Sequence, residues 1–103
     1  EPFLMIASGK KTVEVRLNDD KRSKIKVGDK ICFTLVGDAK KTCVKVLALH
    51  RFDNFLKLFS SSLFPFTGFE GFTPESAAQA MYKYYSEADE KRFGVLGIQI
   101  ELI

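Results

Sequence analysis

Apolar and polar residues alternate one by one in several short stretches of this chain, and that period of two constrains its fold more than any other feature. In Thr12-Val13-Glu14-Val15-Arg16-Leu17, Val13, Val15 and Leu17 fall on one face and Thr12, Glu14 and Arg16 on the other. This predicts a half-buried strand over 12–17. After the turn Val27-Gly28-Asp29-Lys30, Ile31, Phe33 and Leu35 alternate with Cys32, Thr34 and Val36 in a second strand. A third runs roughly over 42–50, with Val44, Val46 and Ala48 on one side and Lys45, Leu47 and Leu49 on the other. It is apolar on both faces for part of its length, which places it centrally in a sheet or in a barrel. Gly37-Asp38 supplies a two-residue turn between the second and third strands. A last strand lies within 94–103, where Leu96, Ile98, Ile100 and Leu102 alternate with Gly97, Gln99 and Glu101.

Three segments carry helical spacing instead. Pro2 and Gly9 bracket a short helix over 2–8, with Phe3, Ile6 and Ala7 on one face. Phe52, Phe55, Leu56 and Phe59 predict an amphipathic helix over 52–59. Thr73 caps a third helix, with Pro74 at its first position and Glu75 in its first turn. There Ala77, Met81, Tyr84, Tyr85 and Ala88 share a buried stripe, while Lys83, Glu87 and Glu90 point elsewhere. Residues 60–72 are irregular yet contain Leu63, Phe64, Phe66, Phe69 and Phe72, so they are expected to pack on the body or line a pocket. The segments are short and the hairpin is local, which argues against an alternating parallel sheet. The predicted class is α+β: one domain over 1–103, a small, mostly antiparallel barrel or curled sheet with peripheral helices.

Several function classes drop out. No apolar run approaches the ~20 residues of a membrane span, and Glu1-Pro2-Phe3 carries no basic leader region. The chain reads as cytoplasmic, with no membrane partner. Two cysteines are too few for a disulfide scaffold or an all-cysteine metal site. Pairing about Gly37-Asp38 sets Cys32 opposite Cys43, close enough to bond; two reduced thiols are the favoured reading, and the sequence leaves the redox state open. His50 is the sole histidine, and no carboxylate spacing marks a metal site around it. No glycine-rich phosphate loop and no cofactor motif is present. Gly94-Val95-Leu96-Gly97 sits inside a strand pattern and is read as allowing close backbone packing.

Charge is where composition informs. The net charge is +3, but residues 1–57 hold 13 Lys/Arg against 7 Asp/Glu, and residues 58–103 hold 3 against 6. Within 10–30 there are 8 basic and 4 acidic residues. This asymmetry points to a basic face and a polyanionic partner; a solubilising surface is the plainer reading. The block Ser8 to Arg16 concentrates the chemistry. Lys10 and Lys11 precede a strand face bearing Thr12, Glu14 and Arg16, so hydroxyl, carboxylate and guanidinium lie within reach of one point. Such a cluster suits a phosphate, a nucleobase or acid–base work; it equally suits an exposed strand face with an ordinary Glu–Arg pair. Tyr82, Tyr84, Tyr85 and Phe93, near Lys91-Arg92, suit base stacking or packing on the core.

The same block resembles the opening signature of the ASCH domain family, the activating signal cointegrator homology domain of the PUA-like superfamily. The residues that carry the resemblance are Pro2-Phe3, then Ser8-Gly9-Lys10-Lys11-Thr12-Val13-Glu14-Val15-Arg16-Leu17. Asp20-Lys21-Arg22, Ile25-Lys26-Val27-Gly28-Asp29, Tyr84-Tyr85-Ser86 and Phe93-Gly94-Val95-Leu96 follow in the matching order. The resemblance implies a PUA-like β-barrel with helices around it, and one further strand before the Pro-Phe helix that this chain would lack. It implies binding of RNA or a modified nucleotide in a cleft lined by the Lys10-Lys11-Thr12 strand and the Lys21-Arg22 loop. Some ASCH-like proteins are amidohydrolases that deacetylate acetylcytidine, and others are described as ribonucleases. Their amidohydrolase lysine falls on Lys11, and their nucleophilic threonine on Glu14, where a carboxylate cannot perform that acyl transfer.

Two functional readings follow. In the first, the chain is an RNA- or nucleotide-binding module: Lys10, Lys11, Arg16, Lys21 and Arg22 hold phosphate, Thr12 and Glu14 meet a base edge, and Tyr85 stacks. In the second it is a small hydrolase of a modified nucleoside or of RNA, with Lys11 activating, Glu14 as base for water and Arg16 as anion anchor. A protein-interaction module using the Phe-rich loop comes third.

Overall fold

The computed structural model describes residues 12–34, 37 and 41–103. The helix expected over 2–8, its Gly9 cap, Lys10, Lys11, the Leu35-Val36 end of the second strand and the Asp38 half of the turn lie outside the described residues. Among the described residues four strands and three α-helices follow in order: β1 (Val13–Leu17), β2 (Lys30–Thr34), β3 (Lys41–Phe52), α1 (Phe55–Phe59), α2 (Pro74–Met81), α3 (Glu87–Phe93) and β4 (Val95–Leu102). The strands form one sheet in the order β1-β4-β3-β2, every neighbour antiparallel. It is a curled half-barrel with helices packed on one side, the α+β architecture its alternation predicts. None of the described helices is long and apolar enough to cross a membrane.

The curl gives the sheet a core on each face. Val15, Leu17 and Val95 pack against Phe55, Leu58 and Phe59 of α1 and Ala77, Ala78 and Met81 of α2. On the other face Val44, Val46, Leu96, Ile98 and Ile100 gather Ile25, Ile31, Phe33 and Leu49. Each fully buried Phe or Leu stabilises the fold by roughly 1.5–3 kcal/mol. Gly97 lets α1 approach the sheet: a Cβ there would lie 3.2 Å from Leu58 Cδ1 and 3.4 Å from Leu63 Cδ1. Gly94, at φ +74°, turns the chain from α3 into β4 where a Cβ would meet the Phe52 carbonyl oxygen at 3.1 Å. Both glycines permit the close backbone packing their strand setting suggests.

Four expectations are corrected. The strand read over 12–17 is not half-buried, because Glu14 is only 4% exposed; the inward curl encloses its polar face as the helices enclose its apolar one. In β3, Ala48 does not continue the Val44 and Val46 face. A bulge between Val46 and Ala48 pairs Leu49 with Ile98 and turns Leu49 onto that core, leaving Leu47 exposed. The helix after Thr73 ends at Met81 and restarts at Glu87, where the Ser86 side chain accepts from the Asp89 amide. Tyr84 and Ala88 therefore leave the buried stripe. Cys32 and Cys43, directly opposite in the β2–β3 ladder with Cα atoms 4.0 Å apart, form a disulfide where reduced thiols were expected. The register predicted from the turn is the one observed, and it alone brings the two sulfurs together. Thiol titration of protein purified without reductant is expected to find neither cysteine reactive, and both reactive after reduction.

Glu90 is the other departure, since it points inward and is 7% exposed. Its carboxylate accepts from the Phe55 amide at 2.8 Å and from the Tyr82 hydroxyl at 2.7 Å. It thereby satisfies the first N–H of α1 and ties α3 to α1. Burial, together with the hydrogen bond to Glu90, pushes the Tyr82 phenol up to about 12 from its ordinary 10.0. A raised folded value means that this stabilisation is complete below pH ~10 and is lost as pH climbs through ~12. An ultraviolet titration is expected to show a tyrosine step near pH 12. Tyr82→Phe is expected to abolish that step.

Candidate functional site

β1 carries Glu14 and Arg16 two residues apart, hence on one face, with Ile98 and Leu96 as their cross-strand partners. The two side chains lie fork against fork. Arg16 Nη1 donates to Glu14 Oε1 at 3.3 Å, and Arg16 Nη2 lies 3.3 Å from Glu14 Oε2. Arg16 Nη1 also donates to the Val15 carbonyl at 3.2 Å. The carboxylate is nearly fully buried, while a third of the Arg16 side chain remains in solvent. Paired in this way, the anion is held in place and the guanidinium keeps donors facing outward.

The segment after β1 brings further cations to the pair. Asp19 organises it: its carboxylate accepts from the Arg22 amide at 3.0 Å and lies 3.3 Å from Arg22 Nη1, and its carbonyl accepts from the Ser23 amide at 2.8 Å. This closes a single 3₁₀ turn over Arg22–Lys24 and fixes where Arg22 leaves the backbone. The turn Lys26–Asp29 is docked in turn on β3, with the Gly28 amide donating to the Val46 carbonyl and the Val46 amide donating to the Asp29 carbonyl, both at 2.8 Å.

Two adjoining hollows result. One, of about 720 Å³, is lined by Glu14, Arg16, Arg22, Lys83, Tyr84 and Tyr85 and walled by Phe69, Phe72, Ala80 and Met81. The other, of about 270 Å³, shares Glu14, Arg16 and Arg22 and adds Lys21 with Ile25, Ile31, Phe33 and Ile98. Together they make one cleft beside the half-barrel, of a size that suits a nucleotide. Its lining is apolar and aromatic, with a buried carboxylate at the base and the cations Arg16, Lys21, Arg22 and Lys83 around it.

Of the residues singled out by sequence, Glu14, Arg16, Lys21, Arg22 and Tyr85 meet in this cleft. Tyr85 packs on the core, half-buried and stacked on Phe55 at 5.7 Å, and it also lines the cleft. Thr12 does not line it; its backbone bridges the Phe66 carbonyl at 3.0 Å and the Ile100 amide at 2.8 Å. Lys10 and Lys11 lie outside the described residues. Tyr84, read from sequence as stacking or core, and Phe69 and Phe72, expected to pack on the body or line a pocket, also line it, while Lys83 is not singled out by the sequence pattern. The density of aromatics over 63–72 and 82–85 does not say which rings stay exposed. Tyr84 is 78% exposed at the cleft rim.

A separate hollow of about 750 Å³ lies between the α1 and α3 ends. It interleaves Asp53, Glu87 and Glu90 with Arg51, Lys91 and Arg92, and Glu90 there is committed to Phe55 and Tyr82. That balance of signs offers no preference for an anion, so the β1 cleft is the better candidate. His50 Nε2 lies 3.1 Å from Gln99 Oε1, and the described residues contain no cluster of three or more metal-ligating side chains.

Comparison with known proteins agrees with this architecture. The sequence matches the ASCH domain profile over residues 1–103. The crystal structure of hypothetical protein PH0355 superposes with a TM-score of 0.87 at 32% identity, covering 100% of this chain and 93% of that one. The solution structure of protein PF0455 from Pyrococcus furiosus gives 0.78 at 32% identity, covering 100% and 91%. No curated protein matches.

Proposed function

This chain belongs to the ASCH domain family, and from that premise we propose that it binds RNA, or a nucleotide-like ligand, in the cleft beside β1. RNA binding is the activity generally ascribed to the family. The observation that supports it here is the convergence of Arg16, Arg22, Lys21 and Lys83 with Tyr84 and Tyr85 around the buried Glu14 carboxylate. The cations suit phosphate oxygens, the rings suit base faces, and a carboxylate suits an exocyclic amine or ring N–H. The test is fluorescence anisotropy with labelled single-stranded RNA over a series of salt concentrations. Affinity is expected to fall steadily as salt rises; no binding at low salt overturns the reading.

The second reading, a small hydrolase of modified nucleosides or RNA, draws on one observation: Glu14 is a buried carboxylate that lines a cleft. In that role it takes a proton from the attacking water. Turnover of acylated cytidines or of RNA, abolished in Glu14→Gln, is the outcome this reading requires. Binding without turnover leaves the first reading.

A further inference from the structure

The cleft does not stop at its aromatic wall. Phe69 and Phe72 line it on one side and on the other line a shallow groove of about 540 Å³ completed by Phe64, Pro65, Gly68 and Glu70. The wall is therefore a shared ridge between two hollows. We propose that this ridge is a second base site: the nucleotide next to the one in the cleft stacks on Phe72, so the preferred ligand is single-stranded RNA of two or more nucleotides rather than a free nucleotide. The proposal rests on the reading of the cleft given above and specifies its ligand.

The ridge is built to hold a ring in place. Phe59 is fully buried and meets Phe69 edge to face at 5.0 Å, and Phe69 meets Phe72 edge to face at 5.2 Å. The Phe72 amide closes a turn on the Phe69 carbonyl at 3.1 Å. Upstream, Thr67 is 1% exposed and its hydroxyl donates to the Phe64 carbonyl at 2.7 Å. An aromatic chain thus runs from the core to the surface, and Phe72 ends it with 45% of its surface in solvent. Rigid, exposed rings beside a hollow lose little freedom when a flat partner covers them.

Charge points to the occupant. The basic side chains Arg16, Arg22 and Lys83 all lie on the cleft side of the ridge, while the only ionisable group among the described residues lining the groove is Glu70. A phosphate belongs on the first side and an uncharged ring on the second. That asymmetry matches a strand whose backbone follows the cations and whose second base reaches over Phe72. Stacking of this kind tolerates any base, because every base presents a π-face.

The experiment compares a nucleoside monophosphate, a dinucleotide and a hexanucleotide of unstructured RNA on wild type, Phe72→Ala and Phe72→Trp, by calorimetry at low salt. Wild type is expected to bind the dinucleotide about tenfold more tightly than the monophosphate. Phe72→Ala is expected to lose that gain, so that it binds dinucleotide and monophosphate alike, and Phe72→Trp to restore it. Dinucleotide and monophosphate binding alike in wild type overturns the second site and leaves the cleft reading standing. A length gain that survives in Phe72→Ala does the same, because added phosphate charge then explains it. No binding at any length overturns the cleft reading and the second site together.

Discussion

Glu90→Ala is expected to lower the unfolding free energy by about 3 kcal/mol, because it removes one buried and one part-buried hydrogen bond to the carboxylate and strands a backbone donor. The acceptor is nearly closed off from solvent, and both of its oxygens are in use, one by the Phe55 amide and one by the Tyr82 hydroxyl. In the alanine variant the Phe55 amide keeps its burial and loses its acceptor, at the start of a helix whose Phe55, Leu58 and Phe59 are all fully buried. For a domain of this size, whose total stability is of order 5–15 kcal/mol, the loss is a large fraction. Urea denaturation followed by circular dichroism measures it. Glu90→Gln keeps an acceptor for one of the two donors and is expected to fall between wild type and alanine. A loss below about 1 kcal/mol for the alanine variant would show that water replaces the carboxylate at the Phe55 amide.

The double variant Arg22→Ala, Lys83→Ala is expected to weaken single-stranded RNA binding about 100-fold, from two charge-assisted interactions of about 1.5 kcal/mol each. These two cations are chosen because Arg16, not they, forms the ion pair with the buried Glu14. Removing Arg16 would take a guanidinium away from that carboxylate and mix folding with binding. The Arg22 ion pair to Asp19 is partly in solvent, so its removal costs little stability. The salt dependence of binding is expected to flatten as well, by about 0.7 in log–log slope for each phosphate no longer neutralised. Arg51→Ala, Arg92→Ala, in the other hollow, is the matched control and is expected to bind as wild type does. Equal weakening in both pairs would mean that net charge, not the cleft, governs association.

The site was partly legible from strand periodicity. A period of two is enough to put Glu14 and Arg16 on one face, but that spacing leaves open whether they pair with each other or with a ligand; the structure pairs them with each other. The register about Gly37-Asp38 likewise follows from counting, and it carries Cys32 onto Cys43. Periodicity is silent on how far a sheet bends. The face carrying Glu14 looked solvated because its residues are polar, and it is buried because the sheet curls over it. One bulge at Leu47 was enough to exchange the faces of everything after it in β3. The aromatic stripe of 77–88 failed for a related reason. Ser86 can either continue a helix or cap a new one, and capping here splits the segment and puts Tyr84 in solvent.

Local pattern alone therefore determined the four strands, the hairpin register, the capped start at Thr73 and the α+β class, because each depends on residues a few positions apart. Tertiary structure decided what lies between distant segments: Glu90 under α1, Lys83 and Tyr84 across from Arg22, and Phe69 and Phe72 as a wall beside β1. Those placements come from burying both faces of a curled sheet at once. No single segment records that requirement, since it is met only when residues from the two ends of the chain are packed against each other.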